Sequence, residues 1–164
     1  MKRALLVILS VLVASATASP ARAADSSAKA AIERVSANFV AAWNAHDAAK
    51  MAATFAEDGD LINPFGQGAK GRAAIEKFFE KEQTTAMKGT TYKLESNSIR
   101  ELDATCAIAD WAAVVTGMTD PSGKALPPFD HHVVVAFVKK GGQWQAAAVR
   151  AYAFEMPPGA PPAK

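Results

Sequence analysis

The stretch HHVVVAFVKKGGQWQAAAVRAYAF, residues 131–154, decides the fold. Two apolar runs, His131 to Lys139 and Gln143 to Phe154, flank Gly141-Gly142. A Gly-Gly pair between β-forming runs is a strong hairpin signal, because the favoured two-residue turns need positive φ that glycine adopts freely. The first run is apolar at both alternations, with Val133, Val135 and Phe137 against Val134, Ala136 and Val138. A sheet covered on both faces reads this way. Counting outward from the turn sets residue 140 against 143, Val133 against Arg150 and His131 against Tyr152. That pairing gathers His131, Arg150 and Tyr152 on one face, among Val135, Phe137, Ala146 and Ala148. A one-residue bulge in the hairpin would swap the later partners to the other face.

Working toward the N-terminus, the segments from Cys106 to Gly117 and from Thr91 to Glu101 also read as strands, and Asp120-Pro121-Ser122-Gly123 as a turn. The first half is helical. Ala28 to Ala45 sets Ile32, Val35, Phe39 and Trp43 on one stripe, spaced by three and four residues. Asp47 caps a short second helix, Ala48 to Ala56. Glu57-Asp58-Gly59 reads as a turn, Asp60 to Asn63 as a short strand stopped by Pro64, and Phe65 to Gly68 as a loop. A third helix spans Gly71 to Thr85, with Ile75, Phe78 and Phe79 facing inward. Helices first and strands afterwards give an α+β domain with an antiparallel sheet and helices on one face.

The ends read differently. Residues 1–23 have the form of a secretory signal: Lys2 and Arg3, an apolar run, and Ala21-Arg22-Ala23 for cleavage, with Pro20 just before it as a helix breaker. Residues 24–156 are the domain, and 157–164 a Pro-rich loose tail. The expected compartment is periplasmic or secreted, with no membrane attachment once the signal is removed. Without Lys2, Arg3 and Arg22, the 18 basic residues become 15, against 16 acidic ones. Such a near-neutral chain with scattered basic residues lacks the electrostatic footprint of a nucleic-acid partner. Cys106 is the only cysteine, so no intramolecular disulfide forms. Its apolar strand setting marks it as a buried thiol.

Three stretches carry a family resemblance: FVAAWNAHD at 39–47, FAEDGDLINPFG at 55–66 followed by GRAAI at 71–75, and VKKGGQW at 138–144. Together they resemble the nuclear transport factor 2-like superfamily and, within it, the SnoaL-like and SgcJ/EcaC-type proteins. The resemblance implies a cone-shaped, curved antiparallel sheet wrapped around the N-terminal helices, a pocket between them, and frequent homodimers. It is specific for fold and weak for function, since the fold hosts isomerases, cyclases, dehydratases, hydrolases and non-catalytic modules.

Steroid isomerases of this superfamily use a carboxylate base with a tyrosine and a protonated aspartic acid. The matching positions here are Asn63, Phe39 and His131. An amide cannot take a proton from carbon near neutral pH, so that activity is rejected. Asp60 lies three residues from Asn63 and therefore points to the opposite face.

The leading expectation is a pocket that binds a small, partly apolar ligand bearing a carbonyl or a negative group. Trp43, Phe65 and Trp111 would form walls, while Asn63, His131, Arg150 and Tyr152 would supply polar contacts. Arg150 has two readings, an anion clamp or half of a salt bridge. The first alternative is a cyclase- or isomerase-like or SgcJ/EcaC-type enzyme with His131 as its base. The second is a dimeric protein-interaction module working through the outer sheet face. His46, His131, His132 and the nearby acids do not form a metal-ligand spacing, and no glycine fingerprint for a nucleotide cofactor is present.

Overall fold

The computed structural model of the protein describes residues 20–120 and 122–155. The expected export signal therefore falls almost wholly, and the Pro-rich tail entirely, outside the described residues. Three helices and six strands follow in the order α1 (Pro20–Asn44), α2 (Ala48–Ala53), β1 (Phe55–Ile62), β2 (Gly68–Lys70), α3 (Arg72–Thr84), β3 (Thr91–Glu101), β4 (Cys106–Thr116), β5 (Phe129–Lys140) and β6 (Gln143–Tyr152).

Helix α1 is already formed at Pro20, the first described residue, and so includes the eight residues before Ala28. The alanines of that stretch favour helix. Asp47 caps α2 as expected, accepting from the Lys50 amide at 2.9 Å. Helix α2 ends at Ala53 rather than at Ala56, and Phe55 instead opens β1. The Glu57-Asp58-Gly59 segment is strand rather than turn. It bridges the two stretches of β1 that pair with β6, and the register shifts across it, between Phe55 and Asp60. The short strand β2 replaces the end of the expected loop. It lies so close to β1 that a Cβ on Gly68 would meet the Leu61 carbonyl oxygen at 2.6 Å.

The strands form one curved sheet in the order β2-β1-β6-β5-β4-β3. Four of its five pairings are antiparallel, as expected, but β1 runs parallel to β6. No tight turn joins these two strands, so no hairpin dictates their relative direction. The β5–β6 hairpin turns at Gly141 and Gly142, with φ of 57° and 80°, as a mirror-image turn requires. Lys140 faces Gln143 and Phe137 faces Ala146. Beyond that point Ala136 faces Ala148, which leaves Ala147 as an extra residue.

The helices pack on one face of the sheet. Ile32 of α1 and Ile75 of α3 are fully buried, and α1 continues the same stripe with Phe39 and Trp43. Burying an Ile side chain removes roughly 1.5–3 kcal/mol of exposed apolar surface energy, so this stripe anchors both helices on the sheet. Where α1 ends, Asn44 binds the backbone of Tyr92 on the edge strand β3. Its Nδ2 donates to the Tyr92 carbonyl at 3.1 Å, and its Oδ1 accepts from the Tyr92 amide at 2.7 Å.

Candidate functional site

A cavity of about 120 Å³ lies between the concave sheet face and helices α1 and α3. An engineered apolar cavity of ~150 Å³ in another protein takes up benzene, so this space matches about one six-membered ring. Its walls are mainly apolar and aromatic. Trp43 comes from α1, Phe79 from α3, Phe65 from the loop after β1, and Trp111 from β4. Phe65 stacks on Phe129 with ring centres 5.8 Å apart, and Trp43 tilts against Tyr92 at 5.0 Å. The Trp43 indole N–H donates to Thr90 Oγ1 at 3.2 Å, which fixes that ring against the segment leading into β3.

Two polar pairs interrupt the apolar lining. The first joins Asn63 and Glu82. Asn63 Oδ1 accepts from the amides of Phe65 and Gln67, at 3.0 and 2.9 Å, so its Nδ2 is left to donate. It donates to Glu82 Oε1 at 2.8 Å. Glu82 is only 9% exposed, and burial pushes its carboxyl up to about 7, with the Asn63 bond pulling the other way. Its Oε2 makes no hydrogen bond to another described residue.

The second pair joins His131 and Tyr92, whose Nε2 and hydroxyl oxygen lie 3.2 Å apart. Tyr92 is buried, and burial raises its phenol pKa. Burial likewise holds the His131 imidazole below its ordinary value, although the Phe129 carbonyl draws it upward. That carbonyl makes no well-formed hydrogen bond to Nδ1, which is enclosed and unpartnered among the described residues. Both side chains are therefore uncharged near neutral pH. The indole N–H of Trp111 is also enclosed without a partner.

Of the residues singled out from the sequence, Trp43, Asn63, Phe65, Trp111 and His131 all line the cavity. Arg150 and Tyr152 do not. The extra residue Ala147 turns both to the outer face, where Arg150 pairs in register with Val134 and Tyr152 with His132. There Arg150 Nη1 binds Asp60 Oδ1, and Tyr152 stacks on the His132 ring at 5.3 Å. Arg150 is thus half of a salt bridge on the convex side and not a clamp in the cavity. Cys106 is half-buried on the same outer face. Among the described residues, no group of His, Cys, Asp and Glu is arranged to hold a metal ion.

Sequence reasoning missed Glu82 and Tyr92. Glu82 carried a signal: it stands seven residues after Ile75 and three after Phe79, on the stripe that α3 buries.

The fold recurs widely in solved structures. A protein from Caulobacter vibrioides with a cystatin-like fold aligns with a TM-score of 0.70 at 20% identity, over 77% of this chain and 89% of that one. A nuclear transport factor 2-like protein of unknown function from Pseudomonas putida gives 0.67 at 19%, over 80% and 90%. A hexachlorocyclohexane dehydrochlorinase gives 0.76 at 9%, over 86% and 95%. At these identities the likeness speaks for the fold alone. No curated protein matches in sequence. The profile of the SnoaL-like domain matches residues 37–147, from the middle of α1 to the first half of β6, and the chain belongs to that family.

Proposed function

We propose that this chain is an exported ligand-binding domain whose cavity takes a compact molecule of about one ring. The observation that carries the reading is the apolar, aromatic-walled space edged by two polar pairs, Asn63–Glu82 and Tyr92–His131. Apolar walls supply affinity, and the few polar groups orient the ligand. Trp43, Phe65 and Trp111 are the walls, and Asn63 and His131 the polar contacts expected of them. Export rests on the pattern of residues 1–23. The decisive experiment is native mass spectrometry of the gently purified protein, followed by a thermal-shift series with benzyl alcohol and a three-ring analogue. Benzyl alcohol is expected to raise the melting temperature and the larger probe to leave it unchanged. A flat response to every probe, with no co-purified ligand, rejects a binding cavity.

A second reading is an enzyme of the cyclase or isomerase kind. The Glu82 carboxyl, which titrates near neutral pH, favours it, because an acid–base group works best when its pKa lies near the working pH. The hexachlorocyclohexane dehydrochlorinase of the same fold shows that such a scaffold supports chemistry.

Two copies would meet through the outer face of the sheet. Ile108, Val134, Ala136 and Val138 form an apolar patch there that the helices do not cover, bordered by Asp110 opposite Val134, with Val114 beyond it opposite Asp130. Sedimentation of wild type and Val134→Glu tests this: a dimer that the substitution dissociates supports it, and a wild-type monomer rejects it.

A further inference from the structure

We infer that the cavity selects a compact amine in its protonated form, one ring bearing one ammonium group, with Glu82 as the counter-charge. This inference rests on the binding reading above and adds the charge of the ligand.

Three observations carry it. Glu82 is the only acidic side chain lining the cavity among the described residues, and no lysine or arginine lines it. The expected arginine is committed to Asp60 on the other face. A negatively charged ligand would therefore meet a carboxyl group and no cation. Next, the Glu82 carboxyl is incompletely served by the protein. Asn63 holds Oε1 at 2.8 Å, while Oε2 has no hydrogen bond to another described residue. A buried carboxylate is costly without a cationic partner, so this carboxyl either keeps its proton or meets a cation, and no residue lining the cavity supplies one. Finally, the walls are built of rings. Phe39, Trp43, Phe79 and Tyr92 pack on one another with centres 5.0 to 6.3 Å apart, and all four line the cavity that Glu82 enters. Ring faces attract a cation and do little for a neutral hydroxyl.

The titration of Glu82 agrees. A carboxyl near 7 is partly protonated at neutral pH, and an ammonium beside it draws out that proton. The other titratable side chains lining the cavity are His131 from β5 and Tyr92 from β3, both uncharged near neutral pH. Helix α1 and strands β1, β4 and β6 contribute none to the lining.

The test is calorimetric titration of the purified protein with benzylamine and with benzyl alcohol, which match in size and differ in charge. Benzylamine is expected to bind at least about tenfold tighter at about pH 7.5. Its affinity should rise between about pH 5.5 and pH 7.5 with proton release from the protein, while that of benzyl alcohol stays level. In Glu82→Gln the ratio of the two affinities should fall to within about twofold of one. Equal binding of both probes by the wild type, or a preference that survives Glu82→Gln, overturns the inference and leaves the cavity intact as a binding site. Failure of both probes to bind overturns the cavity reading itself, and the amine with it.

Discussion

Asn63 Nδ2 donates to Glu82 Oε1 at 2.8 Å, across nineteen positions of sequence, and joins the loop after β1 to the last turn of α3 inside the cavity wall. The bond favours the ionised carboxylate, yet burial wins, and the group titrates near 7 rather than 4.5. The folded chain therefore holds an extra proton between those two values, and stability falls as pH rises through that window.

Glu82→Gln should abolish that fall. The variant is expected to be more stable than wild type at about pH 8, by about 3 kcal/mol, with the two converging near the carboxyl's ordinary pKa. Urea unfolding of both proteins across the window measures the difference directly, and parallel curves would rule out a buried, protonated Glu82.

His131 acts in the opposite direction. Its folded pKa lies below 6.5, so its contribution to stability is complete above that value and is lost as pH falls. His131→Ala removes a ring stacked on Phe129 at 5.3 Å and leaves the buried Tyr92 hydroxyl without its partner. A loss of about 2–4 kcal/mol is expected at neutral pH, together with weaker binding of any cavity ligand. Denaturant titration and calorimetry report the two effects separately.

Arg150→Ala should do little. The Arg150–Asp60 pair is exposed on the convex face, with side chains 46% and 34% accessible. Such pairs contribute about 0–1 kcal/mol, and the cavity is on the other side of the sheet. Ligand affinity in this variant should equal that of wild type, and a marked loss would mean that Arg150 reaches the cavity.

Deleting Ala147 should be far more damaging. Removing the extra residue restores the simple pairing count and turns Arg150 and Tyr152 into the apolar interior while expelling Val149 and Ala151, which line it. The expected result is loss of cooperative thermal unfolding, read by circular dichroism, against near-wild-type behaviour of Ala147→Ser.

These contrasts show where the sequence speaks and where it is silent. The Gly141-Gly142 turn fixed the pairing of the first four residue pairs beyond it, and the inward phase of β5 placed His131 in the cavity. The bulge lies within Ala146-Ala147-Ala148, three identical small side chains that give no clue to which one is skipped. The phase of β6 was therefore lost at that point, and Arg150 and Tyr152 with it. Glu82 was hidden for a different reason. A glutamate on a helix is read as a solvent-facing residue, even when its spacing from Ile75 and Phe79 places it on the buried stripe. Only the packing of α3 over β1 shows that this acid has been drawn inside.

The hydrogen bonds between Asn44 and the backbone of Tyr92 reach beyond anchoring the end of a helix. Strand β3 is an outermost strand, with β4 on one side only. Such a margin offers free amides and carbonyls to any extended chain that drifts past, the first step toward fibrous aggregates. By answering both groups of one residue with a side-chain amide, Asn44 imitates a neighbouring strand and closes that stretch of the margin to a foreign one.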